Sequence, residues 1–63
     1  MEKGHLELLK KMYLGTRVHV VIDDPYHPIN GEGVVMYVDD MGQLHGTWGS
    51  LAAIPGQDTI EII

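Results

Sequence analysis

From Gly15 onward, turn-forming residues interrupt the chain at intervals too short for anything but strands. Asp23-Asp24-Pro25, Asn30-Gly31, Asp39-Asp40-Met41-Gly42, Gly49-Ser50 and Pro55-Gly56-Gln57-Asp58 follow one another about every six to nine residues. An amphipathic helix needs about ten or more residues to present a useful apolar stripe. Only the segment before Gly15 offers that length, so the remainder must be a β meander or no fold at all.

The first segment reads as a helix over residues 3–13. Leu6, Leu9, Met12 and Tyr13 share one stripe, and Glu7 and Lys11 form an (i, i+4) pair in the favourable order. Glu2 near the start and Lys10 and Lys11 near the end suit the helix dipole, and Gly15 supplies the stop. Thr16–Ile22 alternates and is rich in β-branched residues, which predicts the first strand. Asp23 to Gly31 is then the longest loop. Glu32–Val38 predicts a second strand, with Gly33 as a bulge or bend. The third strand is expected at Gln43–Trp48, with Leu44, Gly46 and Trp48 on its inner row. Leu51–Ile54 and Thr59–Ile62 complete the set. Five short strands leave long edges unless the sheet curls closed. The expected fold is therefore mainly β, a small five-stranded SH3-like barrel over residues 16–62 with a short N-terminal α-helix. Gly33 and Gly46 are its expected corners, and an OB-like barrel is the second choice.

At 63 residues and 7.0 kDa the chain forms one domain, residues 1–63. It has no Cys, which removes disulfides, thiolate zinc sites and Cys nucleophiles. It has no Phe and one Trp, so the core is small, and a homodimer is one way to bury more surface.

Charge is segregated. The four basic residues, Lys3, Lys10, Lys11 and Arg17, all lie in the first seventeen positions. Seven acids follow (Asp23, Asp24, Glu32, Asp39, Asp40, Asp58 and Glu61) without a single Lys or Arg. A surface that tracks a phosphate backbone needs clustered cations, so direct nucleic-acid binding is disfavoured. No apolar run approaches a membrane span, and the first fourteen residues hold no apolar leader core. The expectation is a cytoplasmic protein with no membrane partner.

From Gly15 to the C-terminus the chain resembles domain of unknown function 4314, a family of small bacterial, phage and mobile-element proteins. The matching residues are Gly15-Thr16-Arg17-Val18, Asp23-Asp24-Pro25, Gly31-Glu32-Gly33-Val34-Val35, Val38-Asp39-Asp40-Met41-Gly42, Trp48, and Leu51 through Pro55-Gly56-Gln57-Asp58. One departure is clear: the family often carries a longer Trp-Asp-Asn-Gly-Ser-like turn where this chain has Trp48-Gly49-Ser50. The resemblance implies a small β-barrel from a mobile element and brings no activity or catalytic residue.

Little in the sequence supports chemistry. His19 and His45 are expected on outer rows two strands apart, about 9.5 Å, too far to share one ion. The Asp39-Asp40 turn does not provide a calcium shell, although Asp58 could approach it at one barrel end, with Asp23 and Asp24 at the other. Ser50, the only Ser, sits in a tight turn without a base, and Gly31-x-Gly33 lacks the helix and Lys of a phosphate cradle. No enzyme, metal or cofactor is expected. The favoured reading is a non-catalytic protein-interaction module whose partner-binding residues are Asp23, Asp24, Tyr26, His27, Asp39 and Asp40. Acidic and aromatic together, they suit a basic protein or peptide surface. The alternatives are an acidic nucleic-acid mimic that inhibits a host nuclease and, by fold analogy alone, a nucleic-acid-binding barrel.

Overall fold

A computed structural model describes residues 3–63. The helix α1 spans Lys3–Tyr13, as its stripe predicts. Leu9 is 5% exposed and Leu6 and Tyr13 pack beside it, whereas Met12, expected on the same stripe, is exposed. Lys10 and Lys11 occupy the last turn, where cations complement the dipole. The expected contribution of Glu2 lies outside the described residues. Gly15 takes φ 76, a left-handed conformation that costs glycine little and ends the helix. Its amide donates to the Val35 carbonyl at 2.9 Å, and the Val35 amide donates to the Thr16 carbonyl at 3.0 Å. These two bonds stitch the helix end to the sheet, so α1 docks on its own domain.

Four antiparallel strands follow: β1 (Arg17–Ile22), β2 (Ile29–Val38), β3 (Leu44–Gly46) and β4 (Thr59–Ile62). They form one open sheet in the order β3-β2-β1-β4. Val18, Val20 and Ile22 of β1 face inward with Val35 and Val38 of β2, Leu44 of β3 and Ala53. With Leu9 they make one buried cluster, the source of hydrophobic stabilisation among the described residues.

The second strand departs from expectation in two ways. It begins at Ile29, so Asn30 and Gly31 belong to the ladder, opposite Val21 and Val20, and the loop shrinks to residues 23–28. Asn30 is held there by its side chain, whose Oδ1 lies 2.7 Å from His19 Nε2. The irregularity falls between Val35 and Tyr37 rather than at Gly33. One extra residue, Met36, reverses the in-out alternation, so that Val35 and Val38 are buried while Met36 and Tyr37 both face solvent.

Residues 51–54 do not form the expected fourth strand. Only Ala53 pairs, exchanging both backbone hydrogen bonds with Leu44 at 2.8 Å. The neighbouring polar groups are engaged elsewhere. Trp48 Nε1 donates to the Leu51 carbonyl at 2.8 Å, the Ile54 amide donates to Asp58 Oδ2 at 2.8 Å, and Pro55 has no amide hydrogen.

Trp48 lies beyond β3 rather than on its inner row, half-buried against the core. Its ring explains the two glycines expected to be corners. A Cβ on Gly46 would strike the Trp48 ring and lie 2.5 Å from the Val34 carbonyl oxygen. A Cβ on Gly33 would lie 2.7 Å from Thr47 Oγ1. Both positions are glycine because the Thr47-Trp48 segment passes directly over them. Among the described residues no helix is long and apolar enough to cross a membrane.

Candidate functional site

The β1–β2 loop is organised by Asp24. Its Oδ1 accepts hydrogen bonds from the amides of Tyr26 and His27, both at 2.8 Å. The His27 amide, followed by that of Tyr26, holds this carboxyl below the ordinary carboxylate range. The turn projects Tyr26 outward, 84% exposed, with His27 exposed beside it.

Register brings a second element to this loop. β4 pairs with β1 so that Thr59 opposes Val21. Asp58, one residue before Thr59, therefore sits beside the end of β1, where Ile22 leads into Asp23. The turn before β4 is closed by the Gln57 and Asp58 amides donating to the Ile54 carbonyl at 3.0 and 2.8 Å. Between loop and turn lies a cavity of about 320 Å³. Ile22, Leu51 and Ile54 supply apolar lining, and Asp23, Asp24 and Asp58 supply carboxylates. That volume is at the lower end of ordinary ligand sites.

This grouping corrects the expected pairing of Asp58 with the Asp39-Asp40 turn. Asp58 joins Asp23 and Asp24 because the last strand returns to β1 rather than to β2. Asp39 and Asp40 occupy the other end of the ten-residue β2. There Asp39 builds the hairpin. Its Oδ1 accepts from the Met41 and Gln43 amides at 2.9 Å, and its Oδ2 lies 2.8 Å from His45 Nε2. Chiefly the His45 contact, then the Gln43 amide, keeps the Asp39 carboxyl below its usual range. Gly42, at φ 79, closes the same turn with its amide donating to the Asp39 carbonyl at 3.0 Å. Asp40 is exposed at the tip. Tyr37 stacks on His45 with ring centroids 4.3 Å apart.

The six residues singled out from the sequence thus divide. Asp23 and Asp24 line the cavity, Tyr26 and His27 stand on the loop that forms its wall, and Asp39 and Asp40 belong to a separate turn. Asp58, Leu51 and Ile54 were missed. Their only signal was a Pro-Gly turn placed directly before a strand. Two of the imidazoles have individual partners, Asn30 for His19 and Asp39 for His45. Among the described residues no group of three or more His, Cys, Asp or Glu could hold a metal ion.

A family model described as a domain of unknown function (DUF4314) matches residues 2–63, which adds the helix to the part of the chain that carried the resemblance. No curated protein and no solved structure matches.

Proposed function

The chain belongs to the DUF4314 family, and on that premise we propose that it is a non-catalytic protein-interaction module that binds a basic protein or peptide surface. The cavity between the β1–β2 loop and the Pro55–Asp58 turn carries this reading. Three aspartates and several apolar side chains line it, and no Lys or Arg occurs after Arg17 in the sequence. A cationic partner gains attraction from the acids and burial from the lining. Tyr26, so exposed, contributes little to the core and offers a large contact area at low entropic cost.

The architecture behind this reading is a small five-stranded SH3-like barrel, with residues 51–54 as a rudimentary strand. Its support is the strand order β3-β2-β1-β4 together with the Leu44–Ala53 bridge, which sets residues 51–54 beyond β3. A bacterial, phage or mobile-element setting and a cytoplasmic location complete the proposal, on the family resemblance. The geometry favours the module over a nucleic-acid mimic. Phosphate mimicry needs acids spaced along a surface, whereas three aspartates gather at one cavity and Asp39 is tied to His45.

Affinity capture from a bacterial host, repeated at rising salt, tests the reading. The expected result is a cationic partner lost as ionic strength increases. Recovery of acidic partners alone, or of none, overturns it.

A further inference from the structure

Resting on the reading above, we infer that the cavity receives one arginine side chain of the partner. Its lining has the two chemistries that such a side chain carries. Ile22, Leu51 and Ile54 match the aliphatic stem, and Asp23, Asp24 and Asp58 match the charged end.

The hydrogen bonds already made show how much acceptor capacity is left. Asp24 uses Oδ1 on the Tyr26 and His27 amides, and Asp58 uses Oδ2 on the Ile54 amide. Among the described residues, the second oxygen of each, and both oxygens of Asp23, accept no hydrogen bond. These acceptors belong to three different carboxylates, two of which are held in place by backbone donors. A guanidinium has five N–H donors in one plane and can meet several carboxylates at once. It is also less strongly hydrated than an ammonium, so it loses less on entering an apolar-lined site. An arginine therefore fits this acceptor set better than a lysine.

The test is titration of the isotopically labelled protein, followed by NMR, with blocked five-residue alanine peptides. One carries a central arginine, one lysine, and one citrulline, the neutral isostere of arginine. The arginine peptide is expected to shift the amides of Asp23, Ala52, Ile54 and Asp58. The lysine peptide should bind more weakly, and the citrulline peptide should leave these amides unmoved. Asp23→Asn should weaken arginine binding about tenfold, the usual loss for one charge-assisted hydrogen bond. Asp23 makes no side-chain hydrogen bond within the described residues, so this variant should fold. Asp58→Asn retains an acceptor for the Ile54 amide and provides a second variant.

Equal binding of citrulline, or of lysine, overturns the inference, as do shifts centred on Asp40, Glu32 or Glu61. A basic protein whose binding ignores both Asn variants overturns it while leaving the interaction reading standing. A chain that binds no cationic partner of any kind removes both.

Discussion

Leu44 and Ala53 exchange both of their backbone hydrogen bonds at 2.8 Å, and neither residue has any exposed surface. This one pair anchors residues 51–54, and with them the Leu51 and Ile54 wall of the cavity, to the rest of the sheet. Ala53→Leu should overpack the site and cost about 1–3 kcal/mol. A domain of this size holds only about 3–5 kcal/mol in total, so the urea midpoint should fall steeply. An unchanged midpoint would show that the segment is not held by this contact.

The glycines under Trp48 make a paired prediction. Gly46→Ala places a methyl group against the indole and the Val34 carbonyl, which should cost about 1–3 kcal/mol and change the Trp48 fluorescence. At Gly31 an added methyl group would meet nothing within 4 Å, so Gly31→Ala should stay within about 0.5 kcal/mol of the parent. Thermal unfolding of the two variants provides the comparison.

Neighbouring leucines on α1 separate the docked face from the free one. Leu9 is buried in the core cluster, and Leu9→Ala should cost about 2–5 kcal/mol. Leu8 is 52% exposed, and Leu8→Ala should change stability little. Equal effects in circular dichroism melts would mean that the helix does not pack through Leu9.

Acid should weaken the fold through Asp24 and Asp39. Both carboxyls titrate below their ordinary value in the folded chain, Asp24 through the His27 and Tyr26 amides and Asp39 through His45 and the Gln43 amide. Unfolded aspartate titrates near pH ~3.9. The unfolded chain therefore binds more protons in this range, and stability rises with pH there. The contribution is fully present above about pH 4–5 and is lost as pH falls through the folded values. His45→Ala removes the first cause at Asp39 and should raise its carboxyl pKa, measured by NMR titration of the side-chain carbon. No rise would mean that the His45 contact does not form in solution.

The two acidic ends should behave differently in binding. Asp58→Asn should weaken a cationic partner, because Asp58 lines the cavity. Asp39→Asn should leave affinity nearly unchanged while lowering stability, because Asn keeps an acceptor for the Met41 and Gln43 amides but lacks the carboxylate that faces His45. Calorimetry of both variants at one ionic strength separates the roles. Equal loss would indicate diffuse attraction to net charge.

The local elements were legible where the pattern is strong. The helix over residues 3–13, the alternation of β1, the Asp39–Gly42 turn and the last strand all follow from short-range preferences. The β2 bulge was not legible, because nothing in Val35-Met36-Tyr37-Val38 marks which residue is extra. Nor was the loss of a strand at residues 51–54. There, Trp48 and Asp58 capture backbone groups that a ladder would use, and neither capture is written in the alternation of the segment itself.

Alone, the sequence determined that this chain is mainly β with a short helix, and that its Lys and Arg residues are confined to the first seventeen positions. Turn chemistry, strand alternation and composition are local properties, and they can be read one segment at a time. The tertiary structure decided which acids meet. Asp58 joined Asp23 and Asp24 rather than Asp39 because β4 pairs with β1, and pairing between segments far apart in the chain is set by the shared core they bury.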